Sequence, residues 1–223
     1  MRPGLLVALA AVLALSGCRS DRGGAPSRLA SSDFESGSAE GWTPNEPDHW
    51  RVAADGGSMV YELVAPGTPG AVRAPASRSV LAGRDVASFE FTGRLRCQSD
   101  PGTVFRDMCI LFHYQDPTHF YYVHFAGTSD GVHNIIALVD GADRVKINAE
   151  PAGTSAVRLT DRAWHAFKVT CDAATGEIRA YLDDMAVPML TARDRTLGHG
   201  LVGVGSFDDT GAFDDLVLRV PGT

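Results

Sequence analysis

Several signatures of common enzyme and metal-binding classes are missing from this sequence. Its four cysteines include no Cys-x-x-Cys pair, which excludes zinc-ribbon and thioredoxin chemistry. The Gly-x-Ser-x-Gly, His-Glu-x-x-His and P-loop motifs are also absent, so no serine hydrolase, zincin or nucleotide-binding function is predicted. We therefore expect neither a nucleotide nor a redox cofactor.

Positive charge is also scarce. The formal net charge of the 223 residues is −7, from 20 basic and 27 acidic side chains. The sequence contains no basic patch and no arginine stripe, which are the features that attract a nucleic acid backbone. Nucleic acid is therefore not an expected partner.

The sequence has one long apolar run, at the amino terminus. Residues 5–15 follow the basic Arg2 and have the length of a secretory signal core, too short for a membrane-spanning helix. The run ends in Leu15-Ser16-Gly17-Cys18, which resembles the lipobox of bacterial lipoproteins. This resemblance implies a signal peptide over residues 1–17 and an acylated Cys18. The alternative is an ordinary signal peptide followed by a chance cysteine.

The remaining residues divide into a tether and a domain. Residues 18–31 are rich in Gly, Ser, Pro and Arg, a composition typical of a flexible tether. Residues 32–223 suffice for one all-β domain. Arg19 follows the cysteine where Asp would retain a lipoprotein in the inner membrane, so resemblance to known sorting favours the outer membrane. We expect an exported lipoprotein of the bacterial cell envelope that contacts the membrane through its lipid alone.

Three further cysteines, Cys97, Cys109 and Cys171, lie in the domain. In an exported chain, Cys97 and Cys109 can bridge neighbouring strands and leave Cys171 unpaired. The alternative is three buried thiols that pack as small apolar side chains. The sequence leaves both open.

Along the domain, apolar and polar residues alternate in short segments, and the apolar spacing typical of helices is almost absent. The segments are separated by Gly, Pro, Asp and Asn, as in a β-sandwich. The predicted strands are 50–53, 59–63, 87–97, 108–114, 120–126, 132–139, 144–148, 164–171, 177–182, 200–206 and 213–220. So many strands without helices between them predict an all-β fold of two packed antiparallel sheets.

Three stretches resemble a known family. They are "DFESGSAEGW", "WHAFKVTCDAATGEIRAYLDDMAVPML" and "GLVGVGSFDDTGAFDDLVL", and they are similar to bacterial concanavalin A-like domains, including laminin-G-like modules and the domain named 3-keto-disaccharide hydrolase. The resemblance spans most of residues 33–220 and implies a jelly-roll sandwich. This architecture serves lectins, glycosidases, lyases and adhesive modules alike, so the fold alone does not assign an activity.

The resemblance also implies a structural calcium site. Concanavalin A-like proteins often hold Ca²⁺ between their first and last strands, and the matching oxygens here are those of Glu35, the Gly37 carbonyl and Asp214. The alternative is that these acids lie on a solvated surface at the ends of edge strands.

The hairpin "FHYQDPTHFYYVHF", residues 112–125, is the candidate ligand-binding surface. In one of its two possible registers, the numbers of two residues that pair across the strands sum to an odd value. One face of the hairpin is then apolar, and the other carries His113, Tyr122 and His124. We predict this register, with the second face extended by His133 and Asn134. Aromatic rings cover the C–H faces of sugars, while imidazole, amide and hydroxyl groups meet their hydroxyls. The alternative is a hairpin buried on both sides.

Two other kinds of site are weaker candidates. A transition-metal site can be drawn from four side chains of the hairpin, namely His113, Asp116, His119 and His124. Asp107, next to Arg106, is the one candidate catalytic acid, and a solvated ion pair between the two is the alternative. The carboxylate pattern of laminarinase-like glycosidases is absent.

The predicted function is a surface-anchored module that binds polysaccharide or another glycan without chemistry of its own. One alternative is a hydrolase or lyase that acts on sugars, as the 3-keto-disaccharide hydrolase resemblance implies. A second alternative is a structural or protein-binding surface module, as laminin-G domains are.

Overall fold

The chain folds into two stacked β-sheets. The computed structural model describes residues 26–148 and 159–222, and these contain fifteen strands and one 3-10 turn, Pro47–His49. The strands are β1 (Ser27–Ser32), β2 (Trp42–Pro44), β3 (Trp50–Asp55), β4 (Ser58–Leu63), β5 (Ser77–Leu81), β6 (Phe89–Cys97), β7 (Asp107–Asp116), β8 (His119–Ala126), β9 (Ile135–Asp140), β10 (Val145–Lys146), β11 (His165–Asp172), β12 (Glu177–Leu182), β13 (Leu190–Arg193), β14 (Leu201–Ser206) and β15 (Gly211–Val220). No helix in the described ranges has the length and apolar character needed to span a membrane.

Strand order defines a first and a second sheet. The first has eight strands in the order β13-β12-β11-β6-β15-β4-β3, with β1 paired to β15. The second has seven strands in the order β10-β9-β8-β7-β14-β5-β2. All pairings between the strands are antiparallel, which confirms the predicted all-β sandwich of two antiparallel sheets.

The strands that the sequence did not predict are β1, β2, β5 and β13. Of these, β1 shortens the predicted tether, because residues 27–31 pair with β15 and so belong to the domain. Most β1 side chains are exposed, so its composition resembles that of a linker. The predicted signal peptide, Cys18 and the start of the tether fall in residues 1–25, outside the described residues.

The main core lies between the sheets. Its large rings come from both layers, among them Phe91, Phe167 and Phe213 from the first sheet and Phe112 and Tyr121 from the second. Each fully buried ring of this kind contributes on the order of 1.5–3 kcal/mol through removal of apolar surface from water. The alternating apolar residues that predicted the strands are the residues that fill this core.

The cysteines are buried thiols, and the disulfide alternative is wrong. Cys97 ends β6 in the first sheet, whereas Cys109 lies on β7 in the second. The third thiol, Cys171, packs in the main core, where burial raises its pKa to about 12. All three are buried, and Cys97 and Cys171 pack among the apolar side chains of the main core.

The predicted odd register of the β7–β8 hairpin is confirmed from Asp107 to Phe112, where Phe112 pairs with Tyr121. A bulge then interrupts the ladder at His113, whose φ is +46°. The extra residues change the face of the sheet to which the β7 side chains after Phe112 point. Tyr114 therefore packs on the outer face of the second sheet, which points away from the main core, and His113 points into the core. A bulge of this kind re-aims the side chains that follow it.

His113 is therefore a core residue and not part of a binding face, which corrects the prediction. Its two ring nitrogens lie 2.8 Å from the Leu197 carbonyl oxygen and 2.7 Å from the Ala87 carbonyl oxygen. Burial lowers the pKa of the imidazole, against the opposing effect of these two carbonyls. The side chain holds three separate segments together.

We expect Gly200→Ala to destabilise the fold by about 1–3 kcal/mol, the usual cost of overpacking. Gly200 has a φ of +155°, and a Cβ atom there would lie 2.3 Å from the His113 carbonyl carbon. Urea denaturation measures the change. The matched control is Gly198→Ala, since no atom lies within 4 Å of a Cβ at that position. Equal denaturation midpoints for the two variants would contradict the packing described for the bulge.

Candidate functional site

The outer face of the second sheet is closed to solvent. Its aromatic residues Phe120 and Tyr122 are fully buried, although each points away from the main core. They are covered by Ala74, from the strap formed by residues 67–76, and by Phe207, which follows β14. The prediction that Tyr122 is exposed to a ligand is therefore wrong, and the alternative of a hairpin buried on both sides describes this region.

Phe207 is the central residue of the cover. Its ring centroid lies 5.0 Å from that of His124 and 5.7 Å from that of Tyr122. Its backbone N–H donates to the Asp107 carboxylate at 3.2 Å. The guanidinium groups of two arginines lie over the ring, with the Cζ atoms of Arg144 and Arg73 at 4.6 and 5.2 Å from its centroid. The ring is thus in contact with both aromatic and cationic neighbours.

Asp107 is enclosed beneath Phe207. Its carboxylate accepts hydrogen bonds from the Ser206 hydroxyl at 3.0 Å and from the Cys109 thiol at 3.2 Å, and pairs with His124 Nε2 at 3.2 Å. Burial alone would raise the pKa of Asp107, but the attraction of His124 and these hydrogen bonds outweigh it and lower the pKa. The catalytic candidate is therefore a buried carboxylate, 1% exposed, whose oxygens already accept hydrogen bonds within the protein.

Arg106 does not form the expected solvated pair with Asp107. Its side chain is fully buried, and its guanidinium donates to the Cys97 carbonyl at 2.7 Å. It crosses from the loop before β7 to the end of β6, so it ties the two sheets together. Its role is structural.

Two further predicted ligand-binding residues are used to close the loop after β8. Asn134 accepts a hydrogen bond from the Ala126 N–H at 2.8 Å and donates to the Thr128 carbonyl at 2.8 Å. His124 is buried, and its Nδ1 lies 3.0 Å from the Val132 carbonyl oxygen. The polar atoms of both side chains are therefore engaged within the protein.

A series of neighbouring rings leads from this closed region to solvent. His133 lies beside His124 with ring centroids 5.3 Å apart, and Phe105 stacks on His133 at 4.9 Å with an angle of 15° between the planes. Phe105 is 58% exposed. Asp130, whose carboxylate lies 2.8 Å from His133 Nδ1, orients the imidazole. We call Phe105, His133, His124 and Phe207 the ring series; Phe105 and His133 are its accessible end.

The carboxylates predicted to bind calcium do converge. The Ser58 hydroxyl donates to Glu35 at 2.6 Å and lies 3.3 Å from Asp214 Oδ2. Arg94 also pairs with that Asp214 oxygen, and burial raises the pKa of Asp214 against the effect of Arg94. Gly37 is part of the turn after Phe34 and donates its N–H to the Phe34 carbonyl. A calcium ion would have to compete with the Arg94 guanidinium, and calcium binding here stays a prediction.

The transition-metal alternative within the hairpin is wrong. His113 points into the main core, whereas His124 lies on the outer face of the same sheet, so the two cannot bind one ion. His119 pairs instead with Asp116, with Nδ1 and Oδ2 2.9 Å apart.

Two other side-chain groups in the described residues have potential metal ligands within 4.8 Å of one another, and both contain Asp107. They are Asp107 with Cys109 and His124, and Asp107 with Asp208 and Asp209. Burial, followed by the charges of Asp107 and Asp208, raises the pKa of Asp209 to about 6 against the effect of its hydrogen bonds. The oxygens of Asp107 are already accepting hydrogen bonds from protein donors.

The fold is that of concanavalin A-like jelly rolls. The carbohydrate-binding module CBM66 from Bacillus subtilis is similar, with 17% identity and a TM-score of 0.54 over 81% of this chain and 96% of that one. A Bacteroides ovatus GH16 protein, in complex with a mixed-linkage glucan product, has 12% identity and a TM-score of 0.58 over 86% and 99% of the two chains. Peanut lectin has 12% identity and a TM-score of 0.53 over 87% and 98%. No family model and no curated protein sequence matches the chain.

We expect Phe207→Ala to lower the free energy of unfolding by about 3–5 kcal/mol, because the variant opens a cavity above Tyr122 and His124. The matched control is Phe105→Ala, which removes an equally large ring from an exposed position and is expected to change stability little. Urea denaturation measures both. A Phe207→Ala variant as stable as the control would show that the outer face does not depend on this ring.

Proposed function

We propose that the chain is a glycan-binding module without catalysis of its own, and that sugars bind at the accessible end of the ring series. The observation that carries this proposal is Phe105, an exposed aromatic ring held parallel to the imidazole of His133. A flat apolar face of this kind matches the C–H face of a pyranose or furanose ring. The outer face of the second sheet is covered, so the binding surface is at its end.

The groups around Phe105 supply the polar half of such a site. Asp130 and His133 form a hydrogen-bonded pair beside the exposed ring. Carboxylate oxygens accept from sugar hydroxyls, and an imidazole fixed by a carboxylate can donate or accept at its other nitrogen. The exposed side chain of Val132 widens the apolar surface next to this pair. Apolar contact and hydrogen-bonding groups are thus adjacent, as glycan recognition requires.

Two further observations bear on this proposal. The similar structures include a carbohydrate-binding module and a lectin, which supports glycan binding, but also a GH16 protein, so the fold does not separate binding from catalysis. Asp107, the acid that a hydrolase or lyase would need, is enclosed and saturated with hydrogen bonds. The enzymatic alternative therefore loses the one catalytic acid that the sequence predicted for it.

We further propose that the module is displayed on the cell envelope through an acylated Cys18, as the lipobox-like Leu15-Ser16-Gly17-Cys18 indicates. Several acyl chains provide a durable anchor, at about 0.8 kcal/mol for each buried CH₂. Cys18→Ala is expected to abolish metabolic labelling with radioactive palmitate and to release the protein from the membrane fraction. Membrane retention of an unlabelled variant would refute lipid anchoring.

We expect Phe105→Ala to weaken binding to any glycan identified on a glycan array by about tenfold, the equivalent of 1.4 kcal/mol. Isothermal titration with the identified oligosaccharide gives the dissociation constant. The variant should remain folded because the ring is exposed.

The matched control is Val187→Ala, which truncates an apolar side chain of similar exposure, 64%, away from the ring series. Its affinity should equal that of the unmodified protein. Absence of binding to every glycan on the array would refute the proposed function and favour a structural or protein-binding module. Unchanged affinity in Phe105→Ala would place the glycan elsewhere on the molecule.

A further inference from the structure

The two arginines over Phe207 are brought together by the fold. Arg73 lies on the strap and Arg144 lies between β9 and β10, and their guanidinium groups share one aromatic ring. The segments are joined, since the Arg144 N–H donates to the Arg73 carbonyl at 3.1 Å. The ring thus carries two positive charges, which an anionic ligand would complement.

Several arginines of the first sheet are neutralised within the protein. Five of them pair with a carboxylate, namely Arg51, Arg94, Arg96, Arg179 and Arg219. Among the described residues, no carboxylate forms an ion pair with Arg73 or Arg144, and these two differ from the other unpaired arginines in lying together over the same aromatic ring.

Two carboxylates near the arginines form no ion pair with them. Asp143 accepts a hydrogen bond from the Arg73 backbone N–H at 2.7 Å. Asp208 lines the same cavity as Arg73, a depression of about 200 Å³ between the strap and Phe207, and its carboxylate lies close to those of Asp107 and Asp209. The exposed Arg73 guanidinium therefore keeps donors available for a ligand, whereas Arg144 also interacts with the buried Tyr122 hydroxyl.

We infer that the glycan bound by this module carries carboxylate groups, as uronic acid polymers do, and that Arg73 and Arg144 bind them. This inference rests on the proposed glycan-binding function. The planar fork of a guanidinium matches a carboxylate with two parallel hydrogen bonds, and such charge-assisted bonds are the stronger ones. Phe207, between the arginines and His124, connects this charged subsite to the ring series.

Affinity gel electrophoresis on polygalacturonate and on its methyl-esterified form tests the inference, because esterification removes the carboxylate charge and leaves the sugar backbone unchanged. Alginate and its propylene glycol ester form a second matched pair, and a neutral mixed-linkage glucan is the uncharged reference. We expect retardation by an acidic polymer, at least tenfold weaker with its ester. A protein of net charge −7 is repelled by polyanions as a whole, so such retardation requires a local basic site.

Arg73→Gln with Arg144→Gln should weaken binding to the acidic polymer by at least tenfold. Should the double variant unfold, Arg73→Gln alone keeps the test valid, because this side chain is exposed. The control Arg179→Gln removes an arginine paired with Glu177 on the first sheet and should bind normally. Asp208→Asn removes the one acid lining the cavity with Arg73 and should bind at least as tightly as the unmodified protein.

The outcomes separate the two proposals. Retardation by the neutral glucan alone, equal retardation by acid and ester, or acidic binding that survives the loss of both arginines would overturn the inference and leave glycan binding intact. No retardation by any polymer, together with a negative glycan array, would overturn both.

Discussion

Packing of the Phe207 ring over the outer face of the second sheet is the interaction on which the rest of the site depends. The ring covers Tyr122 and His124, and its own N–H donates to the buried Asp107 carboxylate. An ionised carboxylate without such donors would be costly to bury. With them, Asp107 links β7 to the segment after β14 and draws the cysteine and the histidine beside it into one hydrogen-bonded group.

This closure determines where a ligand can bind. A sandwich of this fold has two outer faces, and here one of them is covered by the strap and Phe207. The other carries several arginines that pair with neighbouring carboxylates. On the covered side, the exposed Phe105 and Arg73 lie at opposite ends of one series of ring contacts that passes through Phe207. The exposed ring and the arginines over Phe207 are therefore positioned by the same packing.

The sequence predicted the features that depend on local alternation. The two-sheet architecture and the odd register of the hairpin follow from the apolar residues of its strands, since a slip by one residue would expose them. His113 was misplaced because its bulge depends on Gly200 and on the Leu197 and Ala87 carbonyls, which are distant in the sequence. Phe207 was missed because alternation shows which side chains point outward, but not which segment covers them. Asn134 was predicted to bind a ligand because its side chain is polar. In the structure, that side chain forms hydrogen bonds that close its own loop.

The location of the binding surface is the central claim, and chemical-shift mapping tests it most directly. Amide signals of the ¹⁵N-labelled protein would be followed during titration with an oligosaccharide of the glycan that it binds. The predicted result is that the perturbed amides cluster at Phe105, Asp130, His133 and Arg73, while those of Thr92, Arg94 and Lys168 on the first sheet stay unchanged. Perturbations centred on the first sheet would contradict the proposed site.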